Sequence, residues 1–379
     1  MNTLFLKRNI CFALFLFVNF LFTYKYLERF TPWAVLVSVL VSLLYIVLFQ
    51  KRDLLKFISK KIEISFFIAF IVVCLLIWKK IAVETLNVDR WSVITSFWDS
   101  YFANEYAYFA KSFAGNPPGP MPFYFILALP FYLVGELGFL SIIGVLLFYW
   151  LMWYKKVNSI TRIFILLLIL SSFFNLWEVI CRSNIFLNAT LVLGSLIYIL
   201  NQKVFTLKAL IISGIFIGLL ISTRNVFVIS YVICFLYLWR IKTIQFKQLT
   251  VLGIISLLIF ALTFIPVVYG HLEDFKQMNP FIVQSTFLIP FEYTVLFVLI
   301  AIGTSFLCKN RSDVYFYNAV VLFVSILIYL IYYICLQGLT QAFTESTVDI
   351  SYFIFCIPFA LWFLASYEIK LNPLRNSIN

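Results

Sequence analysis

Hydrophobic positions along this chain fall into long unbroken blocks, and short clusters of charge separate the blocks. A helix crossing a bilayer needs roughly 20 apolar residues, fewer where flanking lysines and arginines reach back to the interface. By that measure the blocks at 9–24, 32–50, 62–78, 137–154, 163–177, 185–200, 209–222, 226–239, 250–268, 291–307, 315–336 and 350–367 predict about twelve transmembrane helices. One further block, 121–134, contains Pro130, and as a helix it would be only about 21 Å long against about 30 Å of hydrocarbon. Length alone does not decide its fate, because 209–222 is equally short.

Charge decides it. If 121–134 does not cross, nineteen lysines and arginines face the cytoplasm, including the basic loop Lys51, Arg52, Lys56, Lys60 and Lys61, and nine face outward. If it does cross, the bias of the later loops inverts, against the tendency of basic residues to remain inside. The block is therefore expected to be a re-entrant or in-plane helix on the outer side, with both termini cytoplasmic. The predicted fold is an all-α polytopic membrane protein, one transmembrane domain over 1–379, with a long external loop at 79–120 and a later one at 269–290.

Composition fits this pattern and removes other classes. With 64% hydrophobic and 12% charged residues, the chain cannot hide its apolar surface in a water-soluble fold. The first block lacks a small-residue cleavage pattern and a second block follows at once, so it is expected to be an uncleaved span. The formal charge of +12 sits in clusters between spans, which orients helices in a bilayer and does not follow a phosphate backbone, so no nucleic-acid partner is expected. The seven cysteines lie singly in or beside apolar blocks with no CxxC pair, and are expected to be reduced, buried packing residues. Because His271 is the single histidine, a His-built metal centre is excluded, although a divalent cation is left open. Size and the absence of targeting signals fit a bacterial inner membrane, and an endoplasmic reticulum enzyme would have the same topology.

The densest supply of chemically useful groups is the interval Lys79–Pro120, which carries Glu84, Asp89, Asp99 and Glu105 among many aromatics. It ends in Asn116-Pro117-Pro118-Gly119-Pro120, where fixed dihedrals and missing donors stop any helix. Asp89 is available as a proton acceptor, or alternatively as a helix N-cap or a partner of Arg90. Asp99 and Glu105 lie on FWDSYFANEYAYFAKSF, whose composition suits a helix lying in the interface with its rings as anchors. Further along, Glu178 and Arg182 are four apart and on a helix would share a face, either as a functional pair or as an ion pair orienting two helices. Arg224, in the polar knot Ser222-Thr223-Arg224-Asn225, has the geometry to hold a phosphate bidentately, or else touches lipid phosphates from a tight turn. His271 is a supporting candidate in the later loop.

With Asp89 as an early acid, Glu105-Tyr106 as a later acid-aromatic element, and Asn116 to Pro122 as a proline element, the stretch 62–154 resembles the GT-C class of membrane glycosyltransferases. That class includes protein O-mannosyltransferases and aminoarabinose transferases. Two adjacent acids are common there, where this chain has Asp89-Arg90, and two additional spans precede the loop. The resemblance implies a polyprenyl-phosphate-linked sugar as donor, and a glycan, lipid or protein as acceptor. It further implies that Asp89 and Glu105 are the catalytic acids, with Arg224 and Arg182 on the donor phosphate and Glu178, Asp99 and His271 in support. The alternatives are a lipid-linked oligosaccharide flippase or transporter, or a polysaccharide polymerase. The first would show two comparable halves, and the second large later external loops; neither is visible.

Overall fold

The structure is a computed structural model that describes residues 3–52, 55, 60–287, 290–345 and 348–376, with the backbone alone at 60–61, 285–287 and 368–376. Asp53 and Lys56 of the basic loop lie outside the described residues. In chain order the helices are α1 (Thr3–Leu27), α2 (Ala34–Gln50), α3 (Lys60–Lys80), α4 (Arg90–Phe102), α5 (Pro122–Val134) and α6 (Phe139–Tyr154). They continue as α7 (Ser159–Leu170), α8 (Phe173–Ile180), α9 (Ile185–Leu200), α10 (Leu207–Ile221), α11 (Val228–Arg240) and α12 (Phe246–Val268). The last are α13 (Leu272–Gln277), α14 (Pro280–Phe287), α15 (Phe291–Leu307), α16 (Arg311–Gln337) and α17 (Ile357–Asn376). No strand occurs among the described residues.

By length and composition, 5 of the described helices can cross a membrane, or up to 7 spans if each of two bent pairs counts as one. Shorter apolar helices coincide with the remaining predicted blocks, as at Ala34–Gln50 and Leu207–Ile221. Two blocks are more broken than their hydrophobicity suggested, and a third is followed by a sharp turn. The 163–177 block bends by 58° between α7 and α8, because Ser172 begins a new helix there. Its hydroxyl accepts from the Asn175 amide, and Asn19 Oδ1 accepts from the Phe173 amide at 2.8 Å. The 350–367 block opens as a 3₁₀ segment, Ile350–Cys356, before α17. The 121–134 block is the helix α5, after which Gly135, at φ +85°, lets the chain turn by 119° into α6.

Contacts divide the chain into two compact units that interleave in sequence. The first comprises Met1–Ala82, Ser141–Thr190 and Asn318–Asn379. Its centre is the run leading into α17, whose side chains from Ile350 to Ala365 are almost all buried. Around it, Phe12 of α1 stacks on Phe49 of α2 at 4.0 Å, and Phe148 of α6 meets Trp362 edge-on. Glu63 of α3 and Arg162 of α7, both buried, form a two-point ion pair at 3.1 and 3.2 Å. That geometry satisfies charges that would be costly alone in an apolar interior. Lys25, one of the nine basic residues expected to face outward, is also buried, with its ammonium 5.2 Å over the Phe343 ring. Of the seven cysteines, Cys335 breaks the expectation of burial and is exposed on α16.

The second unit comprises Val83–Leu140 and Leu191–Tyr317, and is built on the close crossing of α10 and α12. Gly214 and Gly218 lie one turn apart on α10 and face α12 so closely that no side chain fits between the helices. A Cβ on Gly218 would stand 2.5 Å from the backbone oxygen of Ser256, and one on Gly214 would stand 2.5 Å from a side-chain methyl of Ile255. Small residues spaced in this way let two apolar helices approach through backbone packing where no water drives them together. At Gly214 a Cβ would also meet Ile255 Cβ at 2.8 Å, but its closest contacts are side-chain atoms, whereas at Gly218 the closest is a helix carbonyl that moves only if the backbone of α12 moves. Gly218→Ala is therefore expected to lower stability by about 1–3 kcal/mol, as overpacking does, and Gly214→Ala by less. The helix-propensity gain of about 1 kcal/mol is common to both, so the difference between their thermal midpoints in detergent reads the packing term. Equal midpoints would contradict this account of the crossing.

Candidate active site

The site is assembled in the second unit from the first polar loop outward. Asp89 occupies the N-cap position of α4, but its side chain makes no capping bond. It turns instead to the segment following the helix, where Oδ2 accepts from Ser112 Oγ at 2.9 Å and from Asn116 Nδ2 at 2.8 Å. Oδ1 accepts no hydrogen bond among the described residues. The segment that supplies these donors is itself pinned. Its turn closes with Gly115 N–H donating to Ser112 O at 2.8 Å, Gly115 being at φ +79°, where a side chain would be strained. The Phe113 amide donates to Ser92 Oγ on α4, and the Phe113 ring lies parallel to Trp91 at 6.2 Å. One carboxylate oxygen is held and the other left open, as a preoriented proton acceptor requires.

The proline element runs from Asn116 to α5 and carries the constraint along. Fully extended, Asn116 to Met121 spans at most roughly 18 Å, so whatever anchors its two ends belongs to one small region. Tyr108 donates to Pro120 O at 3.1 Å and Gln284 Nε2 to Gly119 O at 2.7 Å. At the far end, the amides that open α5 are satisfied by the polar knot. Met121 and Tyr124 donate to the Thr223 and Ser222 carbonyls at 3.4 and 3.3 Å, and Phe123 to Ser222 Oγ at 3.2 Å. Ser222 Oγ also meets Thr263 Oγ1 of α12 at 2.6 Å. Arg224 follows this knot in extended backbone, with its guanidinium 5.1 Å over the Tyr124 ring. A planar cation stacked this way keeps a fixed orientation, and guanidinium is suited to two-point contact with phosphate.

Other predicted residues fall elsewhere. Asp99 and Glu105 do not share a helix, because α4 stops at Phe102 and Asn104, at φ +59°, turns the chain. Asp99 accepts from the Tyr132 hydroxyl at 2.5 Å. Glu105 is exposed and its carboxylate has no partner among the described residues. The rings read as interfacial anchors divide: Phe97, Trp98, Tyr106 and Tyr108 are core, with Phe97 stacked on Phe125 at 3.7 Å, while Phe102, Phe109 and Phe113 are exposed. His271 Nδ1 lies 2.9 Å from Asp274 Oδ2, and its ring sits 5.6 Å from Tyr106.

In the first unit, Glu178 and Arg182 do not share a helix face. α8 ends at Ile180, and Arg182 stands beyond it in the left-handed region at φ +52°. The Glu178 carboxylate accepts from Ser183 Oγ and from the Ile185 and Phe186 amides at 2.7–3.0 Å, so it caps the start of α9. Arg182 donates to the carbonyls of Ile180 at 2.7 Å and Ile81 at 2.9 Å, tying the ends of α8 and α3. Both side chains are buried and serve helix ends. Ser112 and Tyr124, which orient Asp89 and Arg224, carried no legible signal; Asn116 was visible only as part of the proline element. Among the described residues, no three of His, Cys, Asp and Glu converge to hold a metal ion.

No family model, no curated protein and no solved structure matches this chain. Inference about the site therefore rests on its own geometry.

The latch between the 79–120 and 269–290 segments is testable. Tyr106 donates to Met278 O at 2.8 Å, and its phenol is pushed above the ordinary range by burial and by the nearby Asp274. A phenol raised on folding holds its proton longer in the folded state, so this contribution is intact below about pH 10 and declines as pH rises beyond it. Tyr106→Phe is expected to cost about 0.5–1.5 kcal/mol at neutral pH and to flatten the alkaline decline, measured as thermal midpoint against pH. An unchanged alkaline slope would contradict the assignment.

Proposed function

We propose that this chain is an integral-membrane glycosyltransferase of the GT-C type, moving a sugar from a polyprenyl-phosphate donor to an acceptor hydroxyl on the outer face of an inner (plasma) membrane. In this reading the twelve apolar blocks cross the bilayer, both termini are cytoplasmic, and α5 is re-entrant or in-plane on the outer side. The observation that carries the reading is the Asp89 carboxylate, held through Oδ2 by Ser112 and Asn116 with Oδ1 unbonded among the described residues. Asp89 Oδ1 takes the proton of the acceptor hydroxyl as its oxygen attacks the anomeric carbon. The bond from that carbon to the phosphate oxygen breaks, and the electron pair leaves with polyprenyl phosphate. A single displacement of this kind inverts the anomeric centre and needs one carboxylate, whereas a retaining route needs a second as nucleophile. Arg224, oriented by Tyr124, stabilises the charge that builds on the departing phosphate.

Glu105, like Glu84, is exposed and unpaired among the described residues, and of these two acids it is the one in the acid-aromatic element, placed to meet an acceptor from solvent. Arg182 drops out of the phosphate role because its guanidinium is spent on helix-end carbonyls.

The experiment supplies purified protein with a radiolabelled polyprenyl-phosphate sugar and an acceptor glycan, and follows release of free polyprenyl phosphate. Asp89→Asn keeps an oxygen for Ser112 to donate to but cannot take a proton, so transfer is expected to fall by about 10²–10⁴-fold with normal membrane insertion. Asp99→Asn, altering an acid already bonded to Tyr132, is expected to retain transfer. Full activity in Asp89→Asn would remove it as the base.

A further inference from the structure

The turn joining α11 to α12 opens a notch of about 590 Å³, lined by Trp239, Lys242, Ile244, Gln245, Phe246 and Lys247. No acidic side chain is among these residues, and neither lysine side chain has a partner among the described residues. The turn is rigid. α11 ends with the Lys242 amide donating to Trp239 O and the Thr243 amide to Leu238 O, both at 3.0 Å. That closure places Lys242 at φ +58°, the position where such an ending normally has glycine. Arg240 does not compete for a ligand, since its guanidinium donates to the carbonyls of Phe306 and Cys308 at the end of α15.

The notch also has a definite depth. α12, which starts at Phe246, is among the helices long and apolar enough to cross a membrane, so its first turn lies where hydrocarbon gives way to headgroups. Trp239 and Phe246 are 48% and 73% exposed on either side, offering apolar surface to the glycerol and first methylenes of a lipid. We propose that this notch binds the headgroup of an anionic phospholipid, with its negative charge between the ammonium groups of Lys242 and Lys247 and its acyl chains beside Trp239 and Phe246. The site is independent of the transfer reaction and remains whether or not that reading holds.

The test is native mass spectrometry of the full chain, released from micelles containing equal phosphatidylglycerol and phosphatidylcholine. Wild type is expected to retain phosphatidylglycerol preferentially, and each lysine removed to lower that preference about fivefold, as for a basic side chain at an anionic surface. Lys242→Gln/Lys247→Gln should therefore lose most of it, and Lys242→Arg/Lys247→Arg should keep it. If the double glutamine variant does not fold, each single variant carries the same fivefold expectation. An unchanged preference in the glutamine variants, an equal loss in the control Lys203→Gln/Lys208→Gln, or displacement of the lipid by millimolar inorganic phosphate alone would overturn the proposal.

Discussion

Backbone contact between α10 and α12 is the constraint on which the second unit depends. Gly214 and Gly218 bring the helices together, and the seam ends in the hydroxyl pair Ser222–Thr263. Ser222 then accepts the amides that begin α5, so the position of that helix, and of the proline element leading into it, derives from how closely two apolar helices can approach. Arg224 leaves the same knot and lies over Tyr124 in the first turn of α5. At the opposite end of the proline element, Asn116 fixes Asp89. Close helix packing, continued by the hydroxyl pair and the amide bonds at Ser222, thus links the candidate acid and the candidate phosphate ligand to one seam.

Carboxylates in this chain show how partners, more than residue type, assign a role. Glu178 has both oxygens filled by a hydroxyl and two backbone amides, and Glu63 has both filled by one guanidinium. Each is consumed in holding helices together. Asp89 is restrained by two donors on a single oxygen. Among the arginines, Arg182 donates to carbonyls at helix ends, whereas the guanidinium of Arg224 stacks on a ring. A charge in an apolar protein must be satisfied to be tolerated. For these carboxylates, how completely the two oxygens are satisfied divides structural candidates from the chemical one.

Much of the helical layout was legible in the sequence, because apolar block length is a direct consequence of bilayer thickness and backbone hydrogen bonding. The breaks were less so. Ser171-Ser172 reads as two small polar residues in a greasy run, and only the amide-capping roles of Ser172 and Asn19 make it a bend. The acids of the 79–120 loop could be named but not ranked, since sequence does not say that α4 stops at Phe102 or that Asp89 ignores its own helix. Four-residue spacing misled at Glu178 and Arg182, where helix termination at Ile180 overrides periodicity. The proline element marked its own importance through composition, whereas its supports, Ser112, Tyr108 and Gln284, are ordinary residues whose roles arise from long-range packing.

The central claim is that Asp89 and the proline element work on the side of the membrane away from the cytoplasm. Asn116 is exposed and touches Asp89, and Cys335 is the one exposed native cysteine among the described residues. The direct measurement is therefore labelling of Asn116→Cys, in a Cys335→Ser background, by a membrane-impermeant maleimide applied to intact cells or spheroplasts. The account predicts labelling from the outside without permeabilisation. Labelling only after the cytoplasmic face is opened would contradict it.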